Sequence, residues 1–233
     1  MVDPFGLWDF PSLQIVGVKI FSFIFTAFFI LSCTPESRKG SSGNLSSSSA
    51  SDEKRPVADS ARTRNKAEEA LLFCKRKNLS TDFCLLIDMS LHSGVKRLFI
   101  WNFEKNKVAE EYLVGHGCGQ NPWSSDASRD RPEFSNEDGS HLSSLGKYKL
   151  QERGSSEWGI HVKYLMHGLE KTNSNALERF IVFHSWNLMS DAEVFPKGSP
   201  EGWGCPTVSN NAMRQIDPML QKSEKPVLMW IYN

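Results

Sequence analysis

The stretch RFIVFH at residues 179–184, followed by GWGCP at residues 202–206, is the most informative part of the sequence. The first stretch is an apolar, strand-like run that ends in His184. The second places Cys205 in a glycine-flanked turn, where a reactant can approach the thiol closely. A nearby imidazole can deprotonate a thiol, and the thiolate is the form that attacks carbonyl carbons. The two stretches therefore predict a cysteine nucleophile with a histidine base, although a Gly-Cys-Pro turn by itself is more often structural.

The rest of the pattern predicts many short strands and few helices. A helix is predicted over residues 61–78, where Ala67 and Ala70 lie on one apolar face. Shorter helices are predicted over 173–179 and from an N-cap near Ser209 toward Pro218. Further strand-like runs cover residues 83–89, 96–103, 108–114, 159–166, 180–184 and 227–232. The sum is a mixed α+β, β-rich domain, closer to a sandwich than to a doubly wound sheet.

The N-terminal part has the composition of an export signal. Residues 20–32 form a charge-free apolar run after Lys19, shorter than the roughly twenty residues of a membrane-spanning helix. The run ends in ILSC, which resembles a bacterial lipobox with Cys33 as the lipidated residue. We therefore expect a lipoprotein signal peptide over residues 1–33, with an uncleaved membrane anchor as the alternative.

Residues 34–60 are rich in serine and charged side chains, so they predict a flexible tether, which leaves residues 61–233 as the folded domain. The expected location is the cell envelope, as an exported lipoprotein that faces the periplasm in a Gram-negative type of cell. The membrane partner is reached through the lipid on Cys33.

Charge and cysteine content restrict the remaining function classes. The 27 basic and 27 acidic residues cancel, and no basic face for nucleic acid is visible. Free buried thiols are the default interpretation of the cysteines, and Cys74 and Cys84 are the only pair for which a disulfide is the alternative. His116, Cys118, His184 and Cys205 have the residue types of a Cys₂His₂ zinc site. Because this set lacks the closely spaced ligand pair of most zinc sites, no metal and no cofactor is predicted.

A series of motifs resembles the catalytic domain of the murein L,D-transpeptidase family of bacterial envelopes. In order, they are DFCLLID at 82–88, VGHG at 114–117, FSN at 134–136, GSHLSSLG at 139–146, GLE at 168–170, NALER at 175–179, IVFH at 181–184 and WGCP at 203–206. Each motif is weak alone, but their succession extends over most of residues 80–233. The resemblance implies an L,D-transpeptidase-like β-sandwich with a few short helices.

The same resemblance implies the chemistry. Cys205 would attack the carbonyl of the third residue of a peptidoglycan stem peptide and expel D-alanine, with His184 as the base. An amine acceptor would then form a 3→3 cross-link. Water as the acceptor would make the protein an L,D-carboxypeptidase, and a catalytically silent peptidoglycan-binding lipoprotein is a third possibility. The backbone N–H groups of Gly204 and Cys205 are the expected oxyanion donors.

Four further residues are expected to contact substrate: His116, Ser140, His141 and Trp203. A buried core histidine is the alternative for His116. The HGC stretch at residues 116–118 spells a motif of the wider superfamily, but we reject Cys118 as the nucleophile because no strand-borne histidine precedes it as His184 precedes Cys205. Gly202 stands where the family usually has a serine, which puts a secondary polar role in question.

Overall fold

Eight strands form one mixed sheet in the computed structural model, which describes residues 54–233. The strands are β1 (Phe83–Asp88), β2 (Leu98–Asn102), β3 (Lys107–Tyr112), β4 (Gly146–Ser155), β5 (Val162–Gly168), β6 (Val182–Ser185), β7 (Thr207–Val208) and β8 (Val227–Tyr232). Their order across the sheet is β3-β2-β1-β8-β4-β5-β6-β7. The pairs β1–β8 and β6–β7 are parallel, and all other neighbours are antiparallel. The sheet curls into a near-barrel around a shared core.

Two α-helices cover the sheet. α1 (Ser60–Lys77) begins at an N-cap, where the Asp59 carboxylate accepts hydrogen bonds from two backbone N–H groups. α2 (Asn210–Lys222) is capped in the same way by the Ser209 hydroxyl. Alternate residues of β1 divide between two core layers: Cys84 and Leu86 pack with α1, whereas Leu85 and Ile87 pack with α2 and the other strands. No helix within residues 54–233 is long and apolar enough to cross a membrane.

The prediction of a β-rich mixed α+β domain is confirmed. β1, β2, β3, β5, β6 and β8 overlap the predicted runs, whereas β4 and β7 were not predicted. The helix predicted over 61–78 corresponds to α1 with a shift of one residue. The predicted signal peptide over residues 1–33, the predicted lipidation site Cys33 and most of the predicted tether lie outside the described residues.

Two details of the helix prediction are wrong. Residues 173–179 form no helix, because a short 3₁₀ turn at Lys171–Asn173 is followed by turns as far as residue 180. α2 does not end near Pro218 but continues to Lys222. Ile216 and Leu220 are buried on either side of the proline, and their packing outweighs the lost backbone hydrogen bond.

Cys74 and Cys84 are free buried thiols in the layer under α1, as the default interpretation of the sequence has it, and the alternative disulfide between them is not formed. Burial raises the pKa of both thiols, to about 12 for Cys74 and well above the ordinary value for Cys84. A high pKa keeps the thiolate population small, so both side chains act as small apolar groups.

Candidate active site

The edge of the sheet formed by β6 and β7 brings the predicted nucleophile and base together. His184 on β6 is the register partner of Thr207 on β7, and Cys205 precedes Thr207 by two positions. Side chains two positions apart project from the same face of an extended chain. His184 and Cys205 accordingly line one cavity of about 120 Å³. Phe183, which precedes His184 on β6, points to the opposite face of the strand and packs in the core.

The Cys205 thiol is held at the start of β6. The Val182 N–H group donates a hydrogen bond to Sγ at 3.4 Å, and the thiol lies 3.8 Å from the Phe180 carbonyl oxygen, to which it donates. Burial raises the pKa of Cys205 above its ordinary value of 9.0, while the Val182 hydrogen bond and the charges of Arg179 and Lys163 oppose this shift. The thiol is therefore protonated at rest near neutral pH.

The imidazole of His184 is oriented by its own backbone. Nδ1 lies 3.0 Å from the Ser185 carbonyl oxygen, which can only accept, so Nδ1 carries the proton and Nε2 keeps a lone pair. Burial lowers the pKa of His184 below 6.5; the bond to Ser185 raises it and Lys163 lowers it further. The resting pair is thus a neutral imidazole and a neutral thiol, suited to general-base activation during attack.

Residues 201–206, which we call the nucleophile loop, present two free backbone donors. Within the part of the chain that the structure describes, neither the Gly204 nor the Cys205 N–H group donates to another residue. The Ser143 hydroxyl donates to the Gly204 carbonyl oxygen at 3.0 Å. That carbonyl belongs to the same planar peptide as the Cys205 N–H group, so its bond fixes the direction of the donor. Such preorganised donors suit a developing oxyanion.

Gly204 is required by the shape of this loop. Its φ is +97°, a value that side chains with a Cβ rarely adopt. A Cβ at this position would lie 2.7 Å from the Leu142 carbonyl oxygen. Any other residue would therefore push the loop away from the 142–143 segment that orients it.

Tryptophans form the rim of the cavity. Trp123, Trp158 and Trp186 pack together with ring centroids 5.0 to 6.3 Å apart, and all three line the cavity with Trp203. Trp203 is 62% exposed and stacks on His141, with ring centroids 5.2 Å apart. Trp123, Trp158 and Trp186 were not among the substrate contacts predicted from the sequence. The sequence could have indicated them, because large apolar side chains in polar connecting segments often mark binding surfaces.

The other three predicted substrate contacts differ in whether their side chains line the cavity. Trp203 lines the cavity, whereas His141 reaches it only through its stacking on Trp203. Ser140 lies behind the rim, where its hydroxyl donates to the Glu137 carbonyl oxygen and accepts from Arg179. Among these three, only Trp203 is placed to touch a substrate at the nucleophile.

The expectation that His116 contacts substrate is corrected by its position. Its side chain is completely buried and does not line the cavity. Arg97 donates to Nδ1 at 2.8 Å, and Nε2 donates to the Ser128 hydroxyl at 2.9 Å. That hydroxyl donates in turn to the buried Glu201 carboxylate at 3.0 Å. Burial and the Arg97 charge lower the pKa of His116, so it is a neutral link between two buried charges, as the core alternative had it.

Cys118 supports the nucleophile loop from behind. The Cys118 N–H group donates to the Gly202 carbonyl oxygen at 2.7 Å, and the Gly202 N–H group donates to the His116 carbonyl oxygen at 2.8 Å. Residues 116–118 thus pair with the loop as a short bridge, and the Cys118 thiol is buried. Within residues 54–233, no three His, Cys, Asp or Glu side chains are grouped so that they could hold a metal ion.

Larger cavities are present away from this site. One of about 440 Å³ lies beside the start of α1 and strands β2 and β3, and one of about 880 Å³ lies around Pro196 and Pro200. Neither is lined by a cysteine or a histidine. Of these three cavities, all within residues 54–233, the one at Cys205 brings a thiol and an imidazole together.

Comparisons with known proteins agree with this geometry at the level of the family. The family model for the L,D-transpeptidase catalytic domain matches residues 58–232. The comparison with curated proteins gave no match.

Similar solved structures include three distant ones. The helical cell shape determining protein Pgp2 from Campylobacter jejuni is 12% identical, with 73% of this chain and 56% of that one covered and a TM-score of 0.41. Bdellovibrio bacteriovorus Bd1075 is 16% identical, with 67% and 49% covered and a TM-score of 0.37. The Ldtfm–avibactam carbamoyl enzyme is 10% identical, with 65% and 49% covered and a TM-score of 0.38. The chain spans about half the length of these proteins.

Proposed function

The chain belongs to the L,D-transpeptidase catalytic domain family, and on that basis we propose that it is a peptidoglycan L,D-transpeptidase with Cys205 as nucleophile and His184 as base. The observation that carries the proposal is the shared cavity of the two side chains, next to the unoccupied N–H groups of Gly204 and Cys205. Nucleophile, base and oxyanion donors are the three groups that acyl transfer requires.

The first half-reaction forms an acyl-enzyme. His184 Nε2 takes the thiol proton as Sγ attacks the carbonyl of the third stem residue, and the oxyanion is received by the Gly204 and Cys205 N–H groups. The transient imidazolium is stabilised by the Ser185 carbonyl oxygen on Nδ1. Collapse breaks the peptide bond, and the departing D-alanine amine takes the proton from Nε2. A Cys205 thioester remains.

The second half-reaction transfers the acyl group. Nε2 removes a proton from the amine of a neighbouring stem, which attacks the thioester, and the thiol is released with its proton. The product is a 3→3 cross-link. If water enters instead of the amine, the same acyl-enzyme yields a shortened stem, which would be L,D-carboxypeptidase activity.

The shape of the site limits how substrate binds. A cavity of about 120 Å³ is smaller than the pockets that enclose a whole ligand, so the stem lies across its mouth. The exposed faces of Trp123, Trp158 and Trp203 then contact the aliphatic parts of the stem.

Two cysteine variants test this function. We expect Cys205→Ala to lose D-alanine release from a tetrapeptide-stem muropeptide by about 10³-fold or more, because no other group can form the thioester. Cys118→Ala is the matched control and keeps most of the rate, since that thiol does not line the cavity and residue 118 pairs with the loop through its backbone N–H group. Intact-mass spectrometry with a carbapenem should show one adduct that maps to Cys205.

The outcomes separate the alternatives. Equal losses in both cysteine variants would contradict the assignment of the nucleophile. A folded protein that releases no D-alanine and forms no adduct would be the silent peptidoglycan binder. D-alanine release without cross-linked product would identify the L,D-carboxypeptidase.

A further inference from the structure

Arg179 carries a positive charge that is bound only by neutral groups. Nη1 donates to the Ser135 carbonyl oxygen at 2.9 Å and to the Ser144 hydroxyl at 2.7 Å. Nη2 donates to the Ser140 hydroxyl at 3.1 Å and to the Leu142 carbonyl oxygen at 2.7 Å. Four donor positions are thus fixed by the loop at residues 135–144, and the guanidinium cannot turn away.

Within the part of the chain that the structure describes, no carboxylate forms an ion pair with this guanidinium. The ion pairs formed within residues 54–233 include Arg55, Arg62, Arg129, Arg131 and Arg153, but not Arg179. The side chain is half-buried, so its field is screened less than that of an exposed arginine. An arginine needed only to tie down a loop would gain more from a carboxylate partner than from four neutral acceptors.

The loop brings this charge next to the nucleophile. The next residue along the chain, Phe180, turns its carbonyl oxygen toward the Cys205 thiol. On the other side, the Leu142 carbonyl oxygen that binds Arg179 lies against Gly204, and Ser143 donates to the Gly204 carbonyl. Arg179 is therefore connected to the nucleophile loop in two ways: through the carbonyl group of Phe180, which contacts the Cys205 thiol, and through the 142–143 segment, which contacts Gly204.

From this geometry we propose that Arg179 is a positioning residue that places an uncompensated positive charge beside Cys205 and thereby favours the thiolate. The inference rests on the proposed role of Cys205, which it deepens by naming the group that stabilises the reactive form of the thiol. A fixed cation stabilises the charge that appears on sulfur when His184 takes the proton, and it needs no reorganisation at that moment.

Other titratable groups around the thiol do not replace this charge. Lys163 on β5 is also half-buried, and its charge acts on Cys205 in the same direction as that of Arg179 but more weakly. Lys163 also pairs in register with His184, where it disfavours the protonated imidazole. Tyr148 on β4 is buried, and its hydroxyl donates to the Ser144 carbonyl oxygen at 2.8 Å. Burial raises the pKa of Tyr148, so this side chain stays neutral. His184 itself is neutral at rest.

The test measures the thiol without any peptidoglycan. The alkylation rate of Cys205 by iodoacetamide is followed from about pH 6 to 11, with the adduct mapped by mass spectrometry, for the wild type and four variants. Arg179→Gln and Arg179→Met remove the charge, Arg179→Lys keeps it but loses the fork of hydrogen bonds, and Arg153→Gln removes a paired arginine outside the cavity. We expect both uncharged variants to raise the midpoint of the curve of alkylation rate against pH by about half a pH unit to one pH unit. That shift corresponds to about threefold to tenfold slower alkylation at pH 7.

Each result has one meaning. An upward shift in the uncharged variants, with Arg179→Lys and Arg153→Gln close to the wild type, supports the proposal. Equal midpoints in all five proteins would overturn it. Equal upward shifts of the midpoint in Arg179→Lys and the uncharged variants would also overturn it, since loop geometry and not charge would then determine the pKa of the Cys205 thiol. Because substrate is absent, failure here is distinct from failure of the proposed transpeptidase activity, which is judged by D-alanine release.

Discussion

Two glycines on either side of Trp203 have opposite constraints. Gly204 has a φ of +97°, and a Cβ there would meet the Leu142 carbonyl oxygen, whereas a Cβ at Gly202 would meet no atom within 4 Å. Gly202 lines the cavity at the position where the family usually has a serine. The structure therefore has room for the missing hydroxyl and none for a methyl group two residues later.

We predict that Gly202→Ser raises kcat/KM for D-alanine release by about twofold to tenfold, because a hydroxyl in the cavity can orient the base or the oxyanion. Gly204→Ala is the contrasting variant and should lower kcat/KM by at least about tenfold, because it moves both backbone donors. Steady-state kinetics with a defined muropeptide measure both values. A fall in activity for Gly202→Ser would show that the hydroxyl has no role in this chain.

The neutral thiol–imidazole pair predicts the pH profile. Burial lowers the pKa of His184 below 6.5, so the base is lost only as pH falls through that lowered value, and kcat/KM should be flat from about pH 7 to 8. In His184→Gln the reaction depends on thiolate alone. Since the pKa of Cys205 is raised above 9.0, its rate should climb by about tenfold per pH unit over that range. A wild-type rate that climbs in the same way would contradict general-base activation by His184.

At the scale of elements, the nucleophile loop is held by a buried network that links β2 to the 116–128 segment. Arg97, which immediately precedes β2, is completely buried, and it donates to the carbonyl oxygens of Leu91 and Val114 as well as to His116. Burial lowers the pKa of Arg97 to about 9, and the carboxylates of Asp88 and Glu201 oppose that shift. Glu201 also accepts from the Ser128 N–H group at 2.6 Å. Glu201, the first residue of the nucleophile loop, thus supplies a negative charge to this network.

We predict that Glu201→Ala lowers the free energy of unfolding by about 3–5 kcal/mol, because it removes one of the two carboxylates that act on the buried Arg97 and leaves two partly buried donors of Ser128 without their acceptor. Glu193→Gln is the control. Its ion pair with Arg55 is more exposed, so the loss should stay within about 1 kcal/mol. Urea titration followed by tryptophan fluorescence compares the midpoints. A Glu201→Ala midpoint equal to that of the wild type would show that the network does not hold the loop.

Most strands could be predicted from local pattern, and the exceptions have a common cause. β8 matches its predicted bounds because six consecutive apolar residues are buried on both faces of the sheet. β4 was missed although it is ten residues long, because only Tyr148 and Leu150 are large and apolar, and its outer half is polar. Its extended form depends on pairing with β5 and β8, which come later in the chain. Local propensity cannot reveal such pairing.

At the scale of the whole molecule, the candidate site could be predicted only in part. The His184–Cys205 pair was accessible because each residue has a local signature, a strand end and a glycine-flanked turn. Arg97, His116 and Glu201 have no such signature, since they meet from positions up to about a hundred residues apart. A histidine in a motif can face a substrate or a buried arginine, and only the tertiary structure separates the two. The same holds for Arg179, whose partners lie in a loop some forty residues earlier.

Envelope anchoring is a property of the whole chain, and it depends on residues outside those that the structure describes. We propose that Cys33 carries a diacylglycerol, whose two acyl chains would hold the protein on a membrane, since stable anchoring takes two such chains. Cys33→Ala should then be unacylated and recovered in the soluble fraction, with kcat/KM for soluble muropeptides within about twofold of the wild type, because the catalytic groups lie in β6 and the nucleophile loop. Fractionation of cells with mass analysis of the N-terminal peptide measures both effects, and Cys118→Ala serves as the matched cysteine control. Unchanged membrane retention of Cys33→Ala would contradict lipidation and favour an uncleaved apolar anchor at residues 20–32.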